Sequence, residues 1–202
     1  MPEPRTLDLQ NLPDADVVLW AQRGREDAFR ELVRRYERPI FSLIFRMVRD
    51  RETSEDLAQD TFIKVLNAID RYDPAFKFSS WIFKIAHNTA LDELRRKQPD
   101  TLSIHGSPHA ATADELEATV LTPASTEETP EDFASSREIG THIEGAIATL
   151  RAEYRTAILL CHVEGRPYEE VAQIMDVPLG TVKTYIHRAR NELRKQLAHL
   201  RI

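Results

Sequence analysis

The segment from residue 98 to residue 137 limits what this chain can fold into more than any other feature of the sequence. It contains four prolines, many Ser, Thr and Ala residues, and few large apolar side chains. Such a composition cannot bury enough apolar surface to offset the conformational entropy lost on ordering. A structureless stretch of this length is uncommon inside one compact domain. The sequence therefore predicts two small domains, residues 1–97 and 138–202, joined by a flexible linker over 98–137.

The net charge of −6 looks wrong for a nucleic-acid binder until it is divided along the chain. Residues 1–97 carry 17 basic and 17 acidic side chains, residues 98–140 carry 1 and 9, and residues 141–202 carry 9 and 7. The acidity thus belongs to the linker, and the two flanking domains are neutral and slightly basic. Net charge reports mainly on solubility and steering, so local clusters must identify the partners.

Three further features place the chain in the cytoplasm. Its one cysteine, Cys161, excludes an internal disulfide and fits a reducing compartment. No apolar run approaches the roughly 20 residues that span a bilayer. The first ten residues lack the basic-then-apolar order of a secretory signal. We predict a cytoplasmic protein without membrane insertion.

Apolar periodicity predicts an all-α fold in both domains, because no run shows the strict alternation of a half-buried strand. In the first domain we expect a first helix that is capped by Asp14, runs to about Arg23 and stops at Gly24, and a second helix over 26–36. A third helix follows Pro39, a fourth is capped at Thr53 and runs to Ile69, and a last one runs from Ser79 or Ser80 to Lys97. The fourth helix has a predicted apolar face of Leu57, Thr61, Val65, Leu66 and Ile69. In the second domain we expect helices over 137–150, 152–163, 168–175 and 179–200.

The last two helices have the form of a helix-turn-helix. In the second of them an apolar stripe follows Val182, Ile186, Ala189 and Leu193. The opposite face is cationic and hydrogen-bonding, with Lys183, Thr184, His187, Arg188 and Asn191. Amide and guanidinium groups read base edges, and cations neutralise phosphates. Gly180 and Thr181 begin this helix, where main-chain N–H groups can hold a phosphate. The alternative to a DNA-binding helix-turn-helix is a helical hairpin whose polar face is simply exposed to solvent.

The last helix of the first domain is apolar around most of its circumference. Its polar stripe consists of Lys84, Asn88, Asp92 and Arg95. Aromatic, amide and cationic groups side by side suit a single-stranded base that is stacked and hydrogen-bonded. Tyr72, Phe76 and Lys77 in the preceding loop would complete such a pocket. Trp81 is expected to belong to the core.

An acidic face on the preceding helix has two interpretations. Asp56 and Asp60 stand four residues apart, opposite the apolar stripe, with Gln59 beside them. Like charges at that spacing destabilise a helix by a few tenths of a kcal/mol. The pair suits docking onto a basic helix of a large partner, but it also suits a solvated helix face. Spacing alone does not separate the two.

The segments DAFRELVRRY, SEDLAQDTFIKVL, FSSWIFKIAHNTALDELRR and YEEVAQIMDVPLGTVKTYIHRAR, in this order, resemble the extracytoplasmic-function (ECF) sigma factors, the smallest class of the bacterial sigma family. The resemblance covers the chain apart from the linker. It implies an alternative sigma factor that binds core RNA polymerase and directs promoter-specific initiation. It also implies contacts with the clamp helices of the largest polymerase subunit, the flap of the second-largest subunit, and an anti-sigma factor.

Site residues carried over by this resemblance fall into three groups. Polymerase binding is implied for Asp56, Gln59 and Asp60. Capture of single-stranded DNA at the minus-ten element is implied for Tyr72, Phe76, Lys77, Lys84, Asn88 and Arg95. Reading of the minus-thirty-five element as duplex is implied for Gly180, Thr181, Lys183, Thr184, His187, Arg188 and Asn191.

The two alternative functions are a stand-alone helix-turn-helix regulator and an enzyme. A stand-alone helix-turn-helix regulator explains the second domain but leaves the first domain and the linker without a purpose. An enzyme would need a metal cluster, a phosphate-cradling glycine loop or a nucleophile beside a base, and the sequence offers none of these patterns. We therefore predict no catalytic residue, no metal site and no cofactor.

Overall fold

The computed structural model of the chain describes residues 8–97 and 130–198, with side chains throughout except at 130–138. All regular structure in these residues is helical, as the sequence predicts. The first domain contains α1 (Asp14–Gln22), α2 (Glu26–Val48), α3 (Arg51–Ala68) and α4 (Phe78–Lys97), with short 3-10 turns at Leu9–Asn11 and Ile69–Arg71. The second contains α5 (Pro130–Thr149), α6 (Ala152–Ile158), α7 (Tyr168–Met175) and α8 (Leu179–Gln196).

Helix α2 runs without interruption through Pro39, where the sequence predicts two separate helices. An internal proline removes one main-chain hydrogen bond and costs about 3 kcal/mol or more. Burial outweighs that cost here, because every side chain from Ser42 to Met47 is buried. Ile40, the residue that follows Pro39, is completely buried as well. Tertiary packing therefore overrides the local signal for a break.

Helix α3 begins earlier than the sequence predicts. The residue that caps it is Asp50, whose carboxylate accepts a hydrogen bond from the Thr53 main-chain N–H at 2.8 Å. Thr53 itself lies inside the first turn of the helix. The predicted apolar face is correct at Leu57, Thr61, Val65 and Ile69, but Leu66 is 53% exposed.

The start of α1 also differs from the prediction. Pro13 occupies the N-cap position, and Asp14 is the first helical residue. Its carboxylate accepts hydrogen bonds from Arg35, at 2.7 Å, and from the Tyr36 hydroxyl of α2. Asp14 thus joins α1 to α2 instead of capping its own helix. The predicted stop at Gly24 is correct, since that residue has φ +81°.

In the second domain, the bounds of α7 match the prediction. The bounds of the first and last helices, α5 and α8, differ from it. Helix α5 begins at Pro130, inside the predicted linker, and proline suits a first helical position. Residues 98–129 and 199–202 lie outside the described residues. Helix α6 continues as a π-helical turn over Leu159–Val163, and α8 is described as helix to Gln196.

The two domains pack against each other, and buried side chains from both form one continuous core. The main contact joins α4 to α7, and α2 also meets α6. Within the described ranges, no helix is both long enough and apolar enough to cross a membrane.

Removal of the α3 cap provides a test of this local structure. Asp50→Ala should lower the free energy of unfolding by about 1 kcal/mol, because one main-chain N–H loses its partner. Asp50→Ser retains a capping oxygen and should lose much less. Urea unfolding of both variants and of Thr53→Ala measures the difference. An equal or greater loss in Thr53→Ala would contradict the assignment of Asp50 as the cap.

Candidate DNA- and polymerase-binding surfaces

A groove between α3 and α4 contains all three residues predicted to bind polymerase. Asp56, Gln59 and Asp60 are exposed on α3 and line its near wall. The far wall is formed by α4 and includes Thr89, Asp92, Glu93 and Arg96. Lys64 crosses the groove and donates a hydrogen bond to the Thr89 hydroxyl at 2.9 Å. We call this surface the acidic groove.

Two exposed apolar side chains extend the acidic groove along α3. Ile63 is 55% exposed and lines the groove, and Leu66 follows less than one turn later at 53%. The sequence does not single out Ile63, and apolar periodicity assigns Leu66 to the core, because α3 has apolar residues on more than one side. An exposed apolar patch beside carboxylates is typical of a protein-binding surface.

The loop before α4 divides its two aromatic residues between core and surface. Tyr72 is buried, with its ring centroid 5.5 Å from that of Phe78 and 5.3 Å from that of Trp81. Its hydroxyl donates to the Phe76 carbonyl oxygen, and burial raises its pKa. Phe76 is 55% exposed. The structure thus presents Phe76 to solvent, while Tyr72 holds the loop in shape.

One surface, which we call the α4 face, carries the predicted minus-ten residues other than the buried Tyr72, namely Phe76, Lys77, Lys84, Asn88 and Arg95. Asn88 and Arg95 are exposed. Lys84 instead donates to the Asp176 carboxylate of the second domain at 3.1 Å. Lys77 likewise contacts the Glu170 carboxylate. The second domain therefore already binds two of the predicted DNA-binding cations.

Glu170 of α7 is the centre of this interdomain contact. Its side chain is 10% exposed, and it contacts Lys77 and lies 3.3 Å from the Ser80 hydroxyl. Burial raises its pKa, but hydrogen bonds from Lys77 and Arg166 and their charges outweigh burial and lower the pKa overall. Arg166 also donates to the Ser79 hydroxyl at 2.7 Å and lies 4.5 Å above the Phe83 ring.

A second group of buried charges joins α2 to the second domain. Glu144 of α5 accepts from Arg46 at 2.9 Å and lies 3.5 Å from Arg49. The Arg155 guanidinium donates to the Met47 carbonyl oxygen at 2.6 Å. It also donates to the carbonyl oxygens of Ala148 and Leu150, at 2.6 and 2.9 Å. Burial and the charge of Arg49 lower the Arg155 pKa to about 10.

The helix-turn-helix consists of α7, the turn 176–178 and α8. Its stripe of Val182, Ile186 and Ala189 is buried, as predicted. The opposite face presents Lys183, Thr184, His187 and Arg188 to solvent. Gly180 and Thr181 lie in the first turn, and the Thr184 hydroxyl donates to the Gly180 carbonyl oxygen at 2.9 Å. The structure thus brings the predicted minus-thirty-five residues together on one helix, with Thr181 and Asn191 half-buried and the others exposed.

Neighbouring side chains hold this recognition surface in place. Asn191 Nδ2 lies 3.0 Å from His187 Nε2. Arg188 donates to the Tyr154 hydroxyl of α6 at 3.1 Å. Arg190 donates to His162 Nε2 at 2.9 Å, and burial and the charge of Arg190 lower the His162 pKa.

No sequence signal predicts the contributions of Tyr154 and His162 to this surface. Both residues come from a helix that carries no local DNA-binding pattern. Only the packing of α6 against α8 brings them to the recognition surface.

Two family models match this chain. The model of sigma-70 region 2 matches residues 32–99, and the model of sigma-70 region 4 matches residues 142–193. The first match covers most of α2 together with α3 and α4. The second covers the last turns of α5, all of α6 and α7, and most of α8.

Similar proteins match over nearly the whole chain. The ECF RNA polymerase sigma factor SigW of Bacillus subtilis is 35% identical over 182 residues, which are 89% of this chain and 94% of SigW. The RNA polymerase sigma-H factor of Pseudomonas aeruginosa is 35% identical over 191 residues, covering 93% and 95% of the two chains.

Solved structures share the fold at lower identity. CnrH, in complex with the cytosolic domain of CnrY, superposes with a TM-score of 0.67 at 22% identity, over 93% of this chain and 98% of CnrH. RpoE of Bartonella quintana, in complex with the anti-sigma factor NepR, gives a TM-score of 0.60 at 22% identity, over 86% and 98%. These structures share the fold, and the family models and the relatives show that the chain belongs to the extracytoplasmic-function family of RNA polymerase sigma factors and is an alternative sigma factor that directs transcription initiation.

Proposed function

We propose a division of labour in which the first domain binds polymerase and captures the minus-ten element, and the second domain reads the minus-thirty-five element as duplex. The observation that carries this proposal is the presence of three chemically different surfaces on one chain. The acidic groove suits a basic protein partner, the α4 face suits an extruded base, and the recognition face of α8 suits duplex DNA. A stand-alone regulator has no use for the first two surfaces.

The acidic groove is our candidate for the polymerase contact. Asp56 and Asp60 offer carboxylates to basic side chains of the clamp helices, and Gln59 adds a neutral donor and acceptor. Ile63 and Leu66 would supply apolar burial beside those charges. An interface with a buried apolar centre and a polar rim has this composition.

The α4 face is our candidate for minus-ten recognition. Asn88 can hydrogen-bond the edge of a base that has left the stack, and Phe76 offers an exposed ring for stacking. Lys77, Lys84 and Arg95 can neutralise phosphates on either side of that base. Tyr72 would act by holding the loop that presents Phe76.

The recognition surface of α8 is our candidate for the minus-thirty-five contact. Arg188 and His187 can reach base edges in the major groove, and Thr184 and Lys183 can bind phosphates. The main-chain N–H group of Gly180 can hold a further phosphate, whereas that of Thr181 donates to the Pro178 carbonyl oxygen at 2.8 Å. We also assign the polymerase flap as a partner of this domain.

Partners and compartment complete the proposal. RpoE was solved with an anti-sigma factor, and we propose that an anti-sigma factor regulates this chain too. We further propose that the protein acts in the cytoplasm, where core polymerase is, and that it has no catalytic activity of its own.

The defining experiment is in vitro transcription from a library of random promoters, with bacterial core polymerase and with or without this protein. Start sites that appear only with the protein would support the proposal and would reveal both promoter elements. If a known sigma factor initiates with the same core and this protein neither initiates nor co-purifies with core polymerase, the proposal fails.

Neutralisation of the acidic groove should weaken polymerase binding. Asp56→Asn with Asp60→Asn should lower affinity for core polymerase about tenfold or more, since each lost contact to a charged group is worth about 1 kcal/mol or more. Asp16→Asn with Glu37→Gln removes the same charge elsewhere on the first domain and serves as the control. Fluorescence anisotropy with labelled protein measures both. Equal losses in the two double variants would refute a specific contact.

Truncation of Arg188 should weaken minus-thirty-five binding by about 1–3 kcal/mol and relax the preference at one base pair. Lys183→Ala should instead weaken binding to all sequences alike and make its salt dependence shallower. Holoenzyme binding to duplex promoters with single substitutions measures both effects. Lys195→Ala, in the last turn of α8, is the control. A sequence preference unchanged in Arg188→Ala would contradict a base contact.

Truncation of Asn88 should impair minus-ten recognition. Asn88→Ala removes hydrogen bonds to the extruded base and should lower open-complex formation about tenfold, with binding to core polymerase unchanged. Asn67→Ala, at an exposed position of α3, is the matched control. Permanganate footprinting of holoenzyme on a selected promoter gives the measurement. Unaltered strand opening in Asn88→Ala would contradict the assignment of Asn88 to minus-ten recognition.

A further inference from the structure

Tyr154 of α6 lies beneath the recognition surface of α8. The residue is only 6% exposed, so its ring is not available for contact with DNA. Its hydroxyl accepts a hydrogen bond from Nη1 of Arg188 at 3.1 Å. Arg188 is exposed, and the proposed function assigns it a contact with a base edge. A buried side chain of one helix therefore binds the side chain with which another helix would read DNA.

Two neighbouring side chains hold the ring of Tyr154 in place. Tyr185, which precedes Arg188 by about one turn of α8, has its ring centroid 5.5 Å from that of Tyr154, with the planes tilted by 50°. The Arg151 guanidinium lies 6.0 Å from the Tyr154 ring centroid. Aromatic pairs and cation–π contacts at these separations are attractive. Together with burial, they make the Tyr154 hydroxyl a fixed acceptor for Arg188.

The hydrogen bond to Tyr154 leaves Arg188 able to bind a base. A guanidinium carries five N–H donors in a planar fork. A bidentate contact with guanine uses two of them, one for O6 and one for N7. One donor bound to Tyr154 therefore leaves enough donors for the base, and it restricts rotation of the guanidinium plane. The hydroxyl anchors Arg188 and does not compete with DNA for it.

An anchored arginine discriminates between bases better than a freely rotating one. Arginine has many rotamers, and binding to a base edge selects one of them at a cost in entropy. A side chain that is already ordered in the free protein loses less entropy on binding. A freely rotating Arg188 could also turn to a neighbouring phosphate when its preferred base pair is absent. That alternative contact would stabilise the wrong complex and reduce specificity.

We propose that Tyr154 is a positioning residue for minus-thirty-five recognition, because its hydroxyl orients the Arg188 guanidinium and so strengthens the preference at the base pair that Arg188 reads. This inference rests on the proposed assignment of Arg188 to a base contact. Tyr154 lies outside the helix-turn-helix and acts only through Arg188. The specificity of α8 thus depends on a hydroxyl group from a helix that is not part of the DNA-binding motif.

The test compares holoenzyme formed with the wild-type chain and with Tyr154→Phe, which keeps the ring and removes only the hydroxyl. Fluorescence anisotropy measures binding to a duplex promoter selected in the transcription assay and to each single substitution in its minus-thirty-five element. We expect the preference at one base pair to fall about fivefold, the scale set by the rotamer freedom of one side chain. That base pair should be the one at which Arg188→Ala relaxes the preference. Preferences at the other positions should change less than about twofold.

Two controls separate positioning from a general effect on the domain. Thr156→Val removes another buried hydroxyl of α6, which donates to the Ala152 carbonyl oxygen at 2.9 Å. It should leave every base preference unchanged, even where it lowers the melting temperature. Tyr154→Phe combined with Arg188→Ala should have the same preferences as Arg188→Ala alone, because the hydroxyl acts through Arg188. Circular dichroism melts compare the stability of all variants.

Four results would overturn the inference. Unchanged preferences in Tyr154→Phe, with a relaxed preference in Arg188→Ala, refute positioning and leave the base contact of Arg188 intact. An equal loss of affinity for all promoter variants shows a purely structural role for the hydroxyl. A sharper preference in Tyr154→Phe shows that the hydroxyl competes with DNA. If Arg188→Ala itself changes no preference, the proposed base contact fails, and the positioning role of Tyr154 fails with it.

Discussion

Burial of α4 on both of its sides is the constraint on which the rest of the structure depends. Ile82, Phe83, Ala86 and Ala90 are completely buried. One side of α4 packs against α2 and α3, and another packs against α7. This second contact includes Phe83, which the Arg166 guanidinium covers. A helix with apolar residues around most of its circumference must be enclosed, and here the partner domain completes the enclosure.

The charges at the domain interface are of two kinds, and the difference bears on how firmly the domains are held. Pairs at the edge of the α4 face are partly solvated, with Lys77 72% exposed and Lys84 39% exposed. Such pairs contribute about 0–1 kcal/mol each and weaken with salt. Glu144 and Arg155 are more deeply buried, and they bind the Arg46 guanidinium at 2.9 Å and the Met47 carbonyl oxygen at 2.6 Å. Separation of the domains must return these groups to water.

Much of the fold and of the candidate sites followed from local patterns. The helix-turn-helix was predicted because its apolar stripe, its turn and its cationic face are all encoded within about thirty residues. Predictions failed where distant contacts outweigh local signals. Pro39 marks a break that burial of the following turn suppresses, and Asp14 binds α2 instead of capping α1. Leu66 fits the apolar periodicity of α3, yet its side chain is 53% exposed among the residues that the structure describes.

The sequence by itself determined the helical class, the separation into two domains and the residue types of the three surfaces, because periodicity and side-chain chemistry are local properties. Only the tertiary structure decided which of those residues are accessible. Tyr72 is buried and Phe76 is exposed, although both are aromatic residues of one loop. Lys77 and Lys84 bind carboxylates that lie more than 90 positions later in the chain. Side-chain pairing at such separations depends on how whole helices pack, and no local pattern encodes it.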